Sequence, residues 1–222
     1  MAEQRLTEAV ERVLEGTDAD ERIEKIKNEA RQRRERSDTL WFELILSMAT
    51  LRGSSGSTLA TEDEYYNQVQ YQTLLEMDEN ERIEHLEDVL LDAGVNMHLR
   101  KADFINAQVQ RIDSLGGLDS AQEEFESKDG KEAKMKFLKQ FKGIGDKYAR
   151  NIGMDLFHPD FRDTIALDAR IGNVTDELEI EFESYEEEEE FYVSVADRLG
   201  ITPWELDRLP YRYTDEVVEE IS

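Results

Sequence analysis

The segment richest in usable chemistry is Phe137-Leu138-Lys139-Gln140-Phe141-Lys142-Gly143-Ile144-Gly145-Asp146-Lys147-Tyr148-Ala149-Arg150. It reads as a helix, a Gly-x-Gly hairpin and a second helix. Two glycines permit a tight turn and let another backbone come close. The amides after the turn lie at a helix N-terminus, where they point outward and favour an anion. With Lys139, Lys142 and Arg150 around Gly143, Ile144 and Gly145, this is a grip for phosphate backbone that reads no base. The competing reading is an ordinary turn between helices, and Gly-x-Gly alone does not separate the two. Twenty-one residues beyond Lys147 stands Asp168, in Ile165-Ala166-Leu167-Asp168-Ala169-Arg170-Ile171. That is an apolar entry followed by an Asp placed to cap a helix. Taken singly, Lys147 is a surface helix lysine and Asp168 an N-cap.

Composition limits what else the chain can do. Its 222 residues contain no Cys and three His, His85, His98 and His158. Thiol nucleophiles, disulfides, zinc–thiolate sites and iron–sulfur clusters are excluded. The scattered histidines read as solvent or loop residues, so no metal and no cofactor is expected. No apolar run approaches the roughly 18 residues of a membrane span. Met1–Arg12 is too polar for a signal peptide. A soluble, cytoplasmic protein without a membrane partner is expected.

Asp and Glu number 53 against 27 Lys plus Arg, a net charge of −26. The acids are dispersed, and 17 Arg outnumber 10 Lys. Such a halophilic pattern suits high salt, where screening relaxes self-repulsion. Partial disorder is the alternative, and apolar periodicity along the whole chain argues against it. An acidic chain is a poor candidate for binding nucleic acid, but one window reverses the sign. Residues 128–150 hold eight basic and three acidic residues, a net charge of +5, with seven of the ten lysines.

The elements around this window are helical throughout. Residues 3–36 predict helices broken near Gly16–Asp18. Ser37-Asp38 starts a helix whose Leu40, Trp41, Leu44, Ile45 and Met48 have buried spacing. Gly53-Ser54-Ser55-Gly56-Ser57 predicts a loop. Helices follow at about 62–75, 79–93, 99–114, 119–127, 131–141, 146–156, 168–179 and 186–199, with a mostly helical end over 203–221. Five consecutive Glu, Glu186–Glu190, read as a solvated helix face. The fold class is all-α in two helical subdomains, 38–156 with the hairpin and 1–37 joined to 157–222.

The order Gly143-Ile144-Gly145-Asp146-Lys147-Tyr148-Ala149, a loop, then Leu167-Asp168 resembles the helix-hairpin-helix superfamily of DNA glycosylases. It is most similar to the archaeal 8-oxoguanine DNA glycosylase/AP lyases of the second type. Trp41-Phe42-Glu43-Leu44, Asn96-Met97-His98-Leu99-Arg100-Lys101-Ala102 and Arg198-Leu199-Gly200-Ile201-Thr202-Pro203-Trp204-Glu205-Leu206-Asp207 resemble further segments of that group. The resemblance covers roughly residues 20–215. The group lacks the iron–sulfur cluster of its endonuclease III-type relatives, in line with the missing cysteines. Three departures fall on base recognition. Arg170 stands where the family usually has His, Asn173 where an Arg often follows, and the chain ends Asp215–Ser222 without the family's Lys-bearing tail.

The resemblance implies a bifunctional DNA glycosylase/AP lyase of base-excision repair, with damaged double-stranded DNA as partner, 8-oxoguanine as the leading lesion and a monomeric state. Lys147 and Asp168 would be the catalytic pair, on opposite lips of a cleft between the subdomains. Lys147 attacks the sugar C1′ of a flipped-out nucleotide and forms a Schiff base; Asp168 accepts its proton. The positive end of the helix dipole and neighbouring lysines would favour the neutral amine. Arg52, after the first barrel helix, would fill the hole left by the base, and Arg170 would add a DNA contact. Trp204, Tyr211 and Tyr213 either stack on the base or pack the core. Two alternatives stay open: a non-catalytic helix-hairpin-helix DNA-binding protein, and a glycosylase for oxidised pyrimidines.

Overall fold

The computed structural model describes residues 1–51 and 58–222, with Pro210 and Tyr211 described by their backbone alone. Among the described residues the chain is all-α, with no strand. In chain order the helices are α1 (Ala2–Gly16), α2 (Ala19–Arg34), α3 (Thr39–Thr50), α4 (Thr58–Thr61), α5 (Asp63–Tyr66), α6 (Tyr71–Leu75), α7 (Glu79–Asp92), α8 (His98–Ser114), α9 (Leu118–Ser127), α10 (Gly130–Leu138), α11 (Asp146–Asp155), α12 (Ala169–Glu177), α13 (Tyr185–Leu199), α14 (Pro203–Arg208) and α15 (Pro210–Ile221).

The chain divides into two compact units, Glu35–Ile152 and Met1–Arg34 together with Gly153–Ser222. The boundaries drawn from sequence, 37/38 and 156/157, differ by a few residues. The second observed boundary lies inside α11, where no change of composition marks it. In the Glu35–Ile152 unit, Leu40, Trp41, Leu44, Ile45 and Met48 of α3 are buried. Each contributes about 1.5–3 kcal/mol by leaving water. Asp78 and Glu81 form a capping box that starts α7, and α7 packs along α8. In the other unit, Leu6, Ala9, Val10 and Val13 make the buried stripe of α1, which packs on α13 and α15.

One helical stretch differs from expectation. Residues 62–75 do not form one helix; α5 and α6 are separate, each preceded by extended backbone at Glu62 and Gln70. The Trp41 indole donates to the Val69 carbonyl at 2.7 Å. The Val69 carbonyl thus meets a side chain from α3 in the break between the two short helices. The end of the chain likewise divides into α14 and α15. The loop expected at Gly53–Ser57 lies outside the described residues. The Glu run is not wholly solvated: Glu188 accepts from Thr175 at 2.9 Å and Glu189 from Thr164 at 2.5 Å.

Candidate active site

The hairpin is built by local hydrogen bonds and one long-range anchor. The chain leaves α10 through Gln140 N–H to Phe137 O (3.0 Å) and Phe141 N–H to Leu138 O (3.0 Å), and turns with Ile144 N–H to Phe141 O (3.1 Å). The Gln108 side chain on α8 donates to the Lys142 carbonyl at 2.7 Å. Phe141 and Ile144 are buried and fasten the inner side of the turn.

The two glycines have different tasks. Gly143 has φ +90°, a conformation that side chains rarely adopt. A Cβ there would meet Phe104 Cδ2 at 2.8 Å and Met48 Sδ at 3.0 Å. Its absence lets the turn sit against the core. Gly145 has no left-handed φ, and a Cβ there would meet nothing within 4 Å. The surface beside Gly145 is open.

Lys147 is the second residue of α11 and is exposed. The first amides of α11 have no acceptor inside the helix. Lys142 is exposed, with its ammonium 5.9 Å from the Phe104 ring centroid, and Arg150 is half-buried. Lys139 is engaged with Asp146 at 2.5 Å. The hydrogen bond from Lys139 holds the Asp146 carboxyl below its usual range. This accounts for an acid in the middle of the basic strip.

Asp168 caps α12. Its Oδ1 accepts from the Arg170 amide at 2.8 Å and the Ile171 amide at 3.3 Å. Its Oδ2 accepts from Arg170 Nη1 at 3.0 Å. Arg170, expected on DNA, therefore lies against Asp168. A carboxylate oxygen has two lone pairs, so Oδ2 retains capacity for another proton donor. Lys147 belongs to the Glu35–Ile152 unit and Asp168 to the other.

The aromatic candidates divide. Trp204 has no face open for stacking: it is 0% exposed, its indole donates to Met154 O at 2.7 Å, and its ring lies 4.6 Å from that of Phe157. The base-stacking role is corrected to core packing, because an indole N–H removed from water must find an acceptor. Tyr213 is buried too, its hydroxyl donating to Asp18 at 2.5 Å. Arg52 and the side chain of Tyr211 lie outside the described residues. His158 is buried rather than solvated; its Nδ1 accepts from the Asp160 amide at 3.1 Å and caps a short 3₁₀ turn. Among the described residues no group of His, Asp or Glu could hold a metal ion, and no helix is long and apolar enough to cross a membrane.

Two residues near Asp168 had no role in the sequence analysis. The Asp207 carboxylate accepts from the Ala166 amide at 2.7 Å. The Tyr185 hydroxyl donates to the Ile165 carbonyl at 3.2 Å. Neither contact leaves a local signal, since the partners are 41 and 20 residues apart.

No protein-family model matches the chain, and no curated protein matches it by sequence. Solved structures do. The 8-oxoguanine glycosylase/lyase of Methanocaldococcus jannaschii, in complex with DNA containing 8-oxoguanine, is similar with a TM-score of 0.70 at 18% identity, over 94% of this chain and 95% of that one. A second structure of the 8-oxoguanine DNA glycosylase from M. jannaschii gives a TM-score of 0.63 at 19% identity, over 95% and 92%. The 8-oxoguanine DNA glycosylase of Thermotoga maritima gives 0.67 at 20% identity, over 96% of each chain. Over 94–96% of its length the protein has the fold of these 8-oxoguanine DNA glycosylases.

Proposed function

We propose that the protein is a bifunctional DNA glycosylase/AP lyase that removes an oxidised base, 8-oxoguanine first among the candidates. The observation that carries this reading is Lys147, exposed in the first turn after the hairpin of a chain with that fold. The hairpin holds phosphate through the α11 amides, the space at Gly145 and the Lys142 charge. The target nucleotide leaves the stack. The lone pair of the Lys147 amine bonds to C1′, the glycosidic bond breaks, and the base departs with the bonding electron pair and takes up a proton from water. Asp168 is the base that takes the proton the amine releases. Ring opening gives the Schiff base. Loss of a C2′ proton then breaks the C3′–O bond and nicks the strand, and water releases Lys147.

Borohydride trapping in concentrated potassium chloride tests this. Labelled duplexes carry 8-oxoguanine, an abasic site or no damage, and each meets wild type and Lys147→Gln. The expected result is an adduct on the 8-oxoguanine duplex with wild type alone. An adduct on the abasic site alone would leave a lyase for another base. A folded protein that binds DNA and yields no adduct would be a non-catalytic DNA-binding module.

A further inference from the structure

The segment that delivers Asp168 belongs to no helix, so side chains elsewhere must set its place. Ala166 is its centre. Its amide donates to Asp207 at 2.7 Å, and its carbonyl accepts from the Asp168 amide at 2.8 Å. A displacement of the Ala166 peptide is thus passed directly to Asp168.

Asp207 is well placed to hold that peptide. It sits on α14, which starts at a Thr202–Glu205 capping box and is anchored by buried Trp204. Its side chain is 10% exposed. Arg208 stands beside it, with Nε 3.7 Å from Asp207, Nη2 3.1 Å from Asp155 and the guanidinium 5.1 Å from the Trp204 ring centroid. Burial pushes the Asp207 carboxyl up to about 6. The Arg208 charge and the Ala166 amide oppose the rise, while the Asp168 and Asp155 charges add to it. Packing alone does not call for a carboxylate here, since an uncharged residue of similar shape avoids the cost of burying the charge.

We propose that Asp207 is a positioning residue for Asp168, its carboxylate holding the Ala166 peptide so that Asp168 is presented in one place. This rests on the glycosylase reading above. A misplacement of about 1 Å in a catalytic constellation costs up to about a hundredfold in rate.

The test is single-turnover base release from an 8-oxoguanine duplex, with the Kd for the same duplex and the amide spectrum recorded alongside. Asp207→Ala is expected to lower the rate about tenfold or more at unchanged Kd. Asp207→Asn still offers an acceptor oxygen and is expected to recover most of that rate. In an Asp168→Asn background, Asp207→Ala is expected to add nothing, because both changes then remove one interaction. A merely structural residue would move Kd and rate together and act equally in both backgrounds. Should Asp207→Ala lose its fold, the wild-type Ala166 amide proton decides. It is expected downfield and to shift as Asp207 titrates, and a proton that ignores that titration overturns the proposal. Wild-type rates in Asp207→Ala, or full additivity with Asp168→Asn, also overturn it. A wild type that traps no adduct on any duplex would instead refute the glycosylase reading.

Discussion

Alanine at Gly143 and alanine at Gly145 should separate support of the fold from contact with DNA. At Gly143 the substitution forces a side chain into φ +90°, with its Cβ 2.8 Å from Phe104 and 3.0 Å from Met48. The backbone strain costs about 1–2 kcal/mol. Overpacking adds about 1–3 kcal/mol, at the low end because a thioether adapts its shape. A total of about 3 kcal/mol corresponds to a fall in Tm of about 6–12 °C for a chain of this size. At Gly145 the added methyl meets nothing and the backbone is unstrained. Stability should hold or rise by about 0.4–1 kcal/mol through lower entropy of the unfolded chain. In the proposed DNA complex the methyl would stand in the path of the phosphate. Loss of one amide bond to a charged oxygen is worth about 1.5 kcal/mol or more, a weakening of Kd by about tenfold. Thermal melts and anisotropy titrations on an abasic duplex, in one high-salt buffer, read both quantities. Gly145→Ala binding as tightly as wild type would refute the phosphate approach at that position. A Gly143→Ala protein as stable as wild type would refute the packing argument.

Other perturbations follow from single contacts. The Asp207 pKa rises on folding from 3.8 to about 6, so the native state binds the extra proton. Its contribution to stability is therefore fully present below about pH 4 and lost as pH rises through about 6, by about 3 kcal/mol. The stability of Asp207→Asn relative to wild type, from urea unfolding, should accordingly grow by up to that amount between about pH 4 and pH 7, and a flat difference would contradict it. Trp204→Phe removes one of two donors to the Met154 carbonyl, which keeps the Phe157 amide at 2.9 Å, and should cost about 0.5–1.5 kcal/mol, with base release per folded molecule unchanged. Asp146→Asn frees Lys139 and removes a negative charge beside the hairpin. It should tighten DNA binding and steepen the dependence of log K on log salt by up to about 0.9; an unchanged slope would mean that Lys139 reaches no phosphate.

The sequence by itself determined whatever depends on neighbours in the chain. The helix, Gly-x-Gly turn and second helix, the cap at Asp168 and the place of Lys147 in a first helical turn rest on contacts a few residues long, apart from the Gln108 anchor on Lys142. The basic window was equally legible, because charge counts need no coordinates. Only the tertiary structure decided which of the two glycines is crowded, since Phe104 and Met48 reach Gly143 from distant helices. It also removed Trp204 from the candidate base pocket and set the Trp41 indole on the Val69 carbonyl between α5 and α6. Asp207 shows the division most clearly. Sequence shows an acid on a short helix, and only a partner 41 residues away makes it a buried support for Ala166. Burial and long-range hydrogen bonding are properties of what surrounds a residue, and a linear pattern records only what precedes and follows it.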